Sequence, residues 1–128
     1  AYAWTGGPGT IHSACAKAGV ITMTQTLAVE WARYKIRVNA IAPGPIRTEG
    51  AWKNLVASPE VEKYVTDYNP MKRLGRPQEL AWMASYLVSD YADFVNGDVF
   101  TMDGGEWLNR GIFRALERQE EPSIPTRG

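Results

Sequence analysis

Ser13-Ala14-Cys15-Ala16-Lys17-Ala18-Gly19-Val20 is the stretch whose reading decides the fold of this 128-residue chain. Ser13 and Lys17 stand four apart, so on a helix the hydroxyl and the ammonium share one face, a turn from each other. A lysine taken at random is a solvated surface residue. Lys17, however, is flanked by Ala14, Ala16, Ala18 and Gly19, which let another group approach the helix closely. Ser13 sits where an N-cap or first-turn residue belongs, and a helix is predicted over residues 14–33. Ala14, Ala18, Ile21, Gln25, Ala28 and Ala32 lie near one face, and Val20, Met23, Thr24, Leu27 and Trp31 form another, so the helix can pack on two sides.

Working outward, residues 36–42 are rich in β-branched side chains and stop at Pro43-Gly44-Pro45, which predicts a strand with a sharp exit. Upstream, Thr5-Gly6-Gly7-Pro8-Gly9 is too rich in breakers for a helix or a central strand, and reads as a loop leaving a strand that ends near Tyr2. Downstream, Ser58-Pro59 predicts an N-cap and a first helical residue, followed by Val61, Tyr64, Val65 and Tyr68 at helical spacing. Pro77 opens a further helix to about Ser89, and residues 97–103 read as a short buried strand stopped by Gly104-Gly105. Strand, helix, strand, helix, strand in this order predicts an α/β fold, the C-terminal half of a doubly wound Rossmann-type parallel sheet. Residues 1–110 form that half domain in this reading, and 111–128, charged and carrying Pro122 and Pro125, form a tail.

Fourteen basic residues balance fourteen acidic ones, so no long-range field draws the chain to nucleic acid or to an anionic membrane. Cys15 is the single cysteine, which excludes an internal disulfide and fits a reducing, cytoplasmic location. No apolar run reaches the roughly 18 residues of a membrane span, so no membrane insertion is expected. The chain opens on Ala1 and its first motif begins at once, from which a piece lacking its N-terminal half is expected.

Three places together resemble the short-chain dehydrogenase/reductase family: the lysine helix, the strand with its Pro43-Gly44-Pro45-Ile46-Arg47-Thr48 turn, and the run of Pro70, Arg73, Gly75, Pro77 and Glu79 with Asp103-Gly104-Gly105 beyond it. The resemblance covers about residues 1–107. In that family Tyr-x-x-x-Lys is the usual catalytic signature, and here serine holds the tyrosine's place. Either the site is dead or its phenol comes from elsewhere. Thr10 occupies the position seven before the lysine, where related enoyl-thioester reductases place a tyrosine, and Tyr2 is the phenol upstream of Lys17. A tyrosine at that distance, with a serine four before the lysine, resembles the 2,4-dienoyl-CoA reductases of the family.

The resemblance implies an NADP(H)-dependent enzyme acting on a fatty acyl-CoA, and a homo-oligomer, expected to be a tetramer. It implies catalytic roles for Tyr2, Ser13 and Lys17, with Lys17 also holding the nicotinamide ribose. It further implies that Pro43, Gly44, Pro45, Ile46 and Thr48 border the nicotinamide, the backbone at Ile46 and the Thr48 hydroxyl holding the carboxamide. Residues 49–70 fall where the family carries a substrate lid, and Trp52, Lys53 and Asn54 are the expected substrate contacts there. Asn54 replaces the arginine that meets coenzyme A in the subgroup, and the adjacent Lys53 is the substitute. His12 precedes Ser13 and resembles a base, but a neighbouring role is expected. The rival readings are another short-chain oxidoreductase, such as a carbonyl or enoyl-thioester reductase, and a non-catalytic subunit, since the glycine-rich dinucleotide loop is absent from this stretch.

Overall fold

The computed structural model describes residues 2–50 and 58–109; the side chain of Tyr2 is outside that description. Helix α1 spans Tyr2–Thr5 and α2 spans Ile11–Trp31, followed by a 3-10 turn at Ala32–Tyr34. Strand β1 is Ala40–Pro43, helix α3 is Pro59–Tyr68, helix α4 is Pro77–Val88 and strand β2 is Val99–Met102. Short 3-10 turns follow α4 at Asp90–Ala92 and β2 at Glu106–Leu108. The two strands pair in parallel, Ala40 with Val99 through Pro43 with Met102. A parallel pair needs a long crossover, and α3 and α4 supply it, so the fold is α/β as the pattern implies.

Helix α2 starts where Gly9, at φ 76°, ends the glycine-rich turn. Thr10 is its N-cap residue, but the Thr10 hydroxyl donates backward to the Gly7 carbonyl at 2.8 Å, so it closes the turn and does not cap the helix. At the other end, Lys35 lies at φ 60° and donates its N–H to Ala32 O at 2.9 Å, while Ile36 N–H reaches Trp31 O at 3.3 Å. These nested bonds are a Schellman stop, with lysine in the place glycine usually takes. Of the two predicted faces of α2, Ala14, Thr24 and Ala28 are buried, whereas Val20 and Met23 are exposed.

Two expectations are corrected. The segment at Tyr2 is a helical turn and not a strand end. A strand borrows its hydrogen bonds from a neighbour, and among the described residues the sheet holds only β1 and β2; a helical turn that packs on α2 needs no ladder partner. The predicted strand at 36–42 pairs only from Ala40, because its opposite number at 95–98 is a turn with Gly97 at φ 81°. One backbone bond remains there, Gly97 N–H to Val38 O at 2.8 Å, and side chains supply the others: Asn96 Oδ1 accepts from Val38 N–H at 2.8 Å and Asn39 Nδ2 donates to Val95 O at 2.9 Å. Arg37 reaches the end of α4, donating to Leu87 O at 2.7 Å and to Ser89 O at 3.2 Å. A cation on those orphan carbonyls also complements the helix dipole.

Beyond the last paired residues the two strand exits touch. Gly44 N–H donates to Met102 O at 3.0 Å, and a Cβ built on Gly44 falls 2.7 Å from Asp103 Cβ and 2.8 Å from its Cα. Gly44 is therefore needed for close approach of two backbones. Gly44→Ala is expected to destabilise by about 1–3 kcal/mol, as overpacking does. Gly19→Ala, where nothing lies within 4 Å, is expected to stabilise by about 0.5–1 kcal/mol. Urea unfolding midpoints of the two variants check both signs.

Candidate functional site

Two contacts at opposite ends of β2 orient α2. Near the entrance to β2, Asn96 Nδ2 donates to Ala28 O at 2.9 Å, and a Cβ on Gly97 falls 3.2 Å from Ala28 Cβ. Beyond the exit, Trp107 packs against Trp4 in a tilted arrangement with ring centroids 5.4 Å apart, and Trp4 belongs to α1, which packs on α2. Helix α2, ~31 Å long at 1.5 Å per residue, therefore runs back against the strand direction. Its N-terminal turns, with half-buried Ser13 and exposed Lys17, lie toward the carboxyl ends of the strands. That is the end at which open α/β sheets bind their ligands.

The turn at residues 43–48 leaves β1 at the same end. Ile46 forms a parallel bridge with Gly75: Gly75 N–H donates to Pro45 O at 3.0 Å and Arg47 N–H donates to Gly75 O at 2.9 Å. This pattern uses groups of Pro45 and Arg47, so the N–H and C=O of Ile46 itself point to the opposite side. Thr48 is half-buried beyond it. The bridge thus holds rigid the residue whose backbone was expected to meet a carboxamide.

A cavity of about 270 Å³ opens beside this turn. Pro45 and Ile46 form one wall, Asp103, Gly104 and Gly105 another, and Asn69, Arg73 and Glu79 are also in its lining. Ser13 and Lys17 are not among its walls. Asn69, 2% exposed, is the residue that sequence reasoning missed. Its Nδ2 donates to Asp103 O at 2.7 Å and its Oδ1 accepts from Met71 N–H at 3.0 Å. Gly104, at φ 65°, leaves room for it: a Cβ there falls 2.5 Å from Asn69 Oδ1. Asp103 closes the following turn, its carboxylate accepting from Gly105 N–H and Trp107 N–H, both at 2.8 Å. Burial raises the neighbouring Glu106 carboxyl above its usual range, against the opposing effect of the Asn69 amide hydrogen bond.

Arg73 and Glu79 form a two-pronged pair at 2.9 and 2.8 Å, and the Arg76 N–H adds a bond of 2.9 Å to the same carboxylate. These bonds, that to Arg73 foremost, lower the Glu79 carboxyl from 4.5 to about 2. This run, which the sequence offered only as part of a family resemblance, therefore braces Gly75, which pairs with the turn. Trp52, Lys53 and Asn54 lie outside the described residues, as do the 111–128 tail and the side chain of Tyr2. Among the described residues no cluster of metal-ligating side chains occurs, and no helix is long and apolar enough to cross a membrane.

Because Glu79 has the lower pKa in the folded state, its contribution to stability is complete above the ordinary value of 4.5 and is lost as pH falls toward about 2. The Tm of the native protein is expected to fall across that window more steeply than the Tm of Glu79→Gln. Thermal melts at stepped pH check the difference in slope.

The geometry agrees with three comparisons. A family model described as Enoyl-(Acyl carrier protein) reductase matches residues 2–106. A Bacillus subtilis (strain 168) protein named a probable 2,4-dienoyl-CoA reductase, (2E)-enoyl-CoA-producing, is 52% identical over 109 residues, covering 84% of this chain and 43% of that protein. A Caenorhabditis elegans protein named probable 2,4-dienoyl-CoA reductase 3, (3E)-enoyl-CoA-producing, is 43% identical, covering 83% of this chain and 35% of that one. The crystal structure of a short chain dehydrogenase from Bacillus anthracis superposes with a TM-score of 0.75 at 54% identity, over 87% of this chain and 42% of that one. An Agrobacterium tumefaciens structure with bound NADP gives a TM-score of 0.76 at 38% identity, over 85% and 44%. The chain thus spans less than half the length of these relatives. With the match running from α1 to the 3-10 turn after β2, and the lysine helix and the Pro-Gly-Pro turn set at one end of a parallel sheet, the chain belongs to the short-chain dehydrogenase/reductase family.

Proposed function

We propose that this chain is the C-terminal half of an NADP(H)-dependent reductase of 2,4-dienoyl-CoA thioesters, working in unsaturated fatty acid degradation. The observation that carries the proposal is Ser13 in the usual tyrosine's place, four before Lys17, in a chain 52% and 43% identical to proteins named as dienoyl-CoA reductases. NADP is supported by the bound cofactor of the Agrobacterium tumefaciens relative. The cofactor also fits this chain: the bridge to Gly75 leaves the Ile46 N–H and C=O pointing away from it, and Pro45 and Ile46 offer apolar surface. Ile46 and Thr48 would hold the carboxamide, and Lys17 the ribose. Bound NADPH would supply a hydride to the far carbon of the conjugated diene.

The chain's own residues then manage the charge that develops. Hydride addition at the fifth carbon moves electrons through the diene to the thioester oxygen, giving a dienolate. Tyr2 and Ser13 donate hydrogen bonds to that oxygen, and donors already fixed where charge appears act without reorganising. The Lys17 ammonium favours the anionic forms of its neighbours. Protonation at the second carbon completes a 3-enoyl-CoA; protonation at the fourth gives the 2-enoyl product named for the Bacillus subtilis relative. NMR of the product distinguishes the two, and the 3-enoyl isomer is expected. A cytoplasmic location and a homotetramer belong to the same proposal. The exposed Val20, Met23 and Val29 on α2 offer apolar surface for assembly, and a monomer at micromolar concentration in sedimentation velocity runs would count against it.

Tyr2→Phe keeps the ring and removes the hydroxyl, so substrate binding is expected to survive while kcat falls by roughly 10²-fold or more. Ser13→Ala is expected to lose less, and His12→Ala to stay within a few-fold of the native rate. Steady-state kinetics with a dienoyl-CoA and NADPH check the series. Normal turnover in Tyr2→Phe, with activity abolished in Ser13→Ala or His12→Ala, would overturn the assignment of Tyr2 as principal donor.

A further inference from the structure

Helix α3 is held at its two ends by contacts of opposite kinds. At its C-terminal end, buried Asn69 bonds Asp103 O, Asn109 Nδ2 donates to Tyr68 O at 2.9 Å, and the Tyr68 hydroxyl donates to Asn109 O at 3.3 Å. Such shielded bonds are costly to break and insensitive to salt. Toward its N-terminal end, Glu62 pairs with Arg47, and the two side chains are 32% and 60% exposed. An ion pair of that exposure is weak and screened by salt. Helix α3 therefore has a firm anchorage at Asn69 and a light fastener at Arg47.

The fastener springs from a rigid base. Arg47 N–H is tied to Gly75 O at 2.9 Å, and Arg47 lies between Ile46 and Thr48. A second ion pair of α3, Lys63 with Asp67, lies within the helix itself. Arg47 with Glu62 is thus a charge contact by which the turn at 43–48 grips α3. We propose that Arg47 is a positioning residue: its ion pair with Glu62 fastens α3 to the turn at 43–48 and so couples the order of that turn to the placement of that helix. The functional consequence of this coupling rests on the proposed reading, in which the turn borders the nicotinamide and residues 49–70 cover the acyl chain; the coupling itself does not.

The test uses the intact protein carrying Arg47→Glu, Glu62→Arg, both together, the conservative Arg47→Lys and the neutral Arg47→Gln. In ligand-free protein, amide hydrogen exchange of residues 59–68 is expected to rise roughly two- to fivefold in each single reversal, to return toward native in the double reversal, and to stay near native in Arg47→Lys. At about 1 M salt, where the Debye length is about 3 Å, the native protein should approach Arg47→Gln, whose own exchange should not move. Kinetically, the single reversals are expected to raise KM for a dienoyl-CoA several-fold while kcat stays within about twofold, with the double reversal restoring KM. Unchanged exchange in the single reversals, or failure of the double reversal to restore it, overturns the fastener. Exchange that behaves as expected beside an absence of dienoyl-CoA turnover in the native protein would leave the fastener standing and overturn the proposed substrate.

Discussion

The side-chain amide of Asn69 is the interaction on which the site end of this structure depends. One buried residue closes α3, bonds the Asp103 carbonyl just past β2, and holds the Met71 amide that begins the run toward Gly75. An amide suits the place because it offers donors and an acceptor without a charge to desolvate. An apolar residue of similar volume would leave Asp103 O and Met71 N–H to find other partners in a closely packed corner. Gly104 completes the fit, since its left-handed backbone and missing Cβ are both required beside Asn69 Oδ1.

From that corner the constraints pass outward through backbone. Asp103 touches Gly44 across the two strand exits, Gly44 leads into Pro45 and Ile46, and Ile46 pairs with Gly75. Glu79, braced by two arginines, fixes the segment holding Gly75. The turn with Ile46 and Thr48 is thus supported from both sides before any ligand arrives. Under the proposed reading such preorganisation matters, because groups that need not move when a ligand binds or charge develops act at full strength. The contrast between the buried Asn69 anchorage and the exposed Arg47 to Glu62 pair gives α3 one fixed end and one adjustable end.

Much of the architecture is local chemistry and was legible in the chain. Ser58 before Pro59 predicted the α3 start, and the Ser58 hydroxyl does accept from Val61 N–H, at 3.4 Å. Pro77 predicted the start of α4, and Gly104-Gly105 the stop after β2. The order of strand and helix patterns implied the parallel α/β arrangement. The four-residue spacing of Ser13 and Lys17, and the Pro-Gly-Pro turn after a β-branched run, carried the family resemblance that the comparisons bear out. These features depend on dihedral preferences, caps and breakers within a few residues of one another, and so they are written in neighbouring letters.

Only the tertiary structure decided the rest. Asn69 with Asp103, Arg37 with Leu87, and Asn96 with Ala28 join residues 34, 50 and 68 apart in the chain. A buried asparagine and a solvated one look alike in sequence, since the difference lies in what the fold brings beside them. The same reason moved the start of β1 to Ala40, where the partner first becomes extended, and made the Tyr2 segment a helical turn where a strand was read. A strand exists only if another strand is there to receive its hydrogen bonds, whereas a capped helix largely satisfies its own. The sequence by itself therefore determined the longer helices, their bounding turns and the type of sheet. The packing of distant segments determined where pairing begins, how α3 is tethered, and which polar side chains became structural.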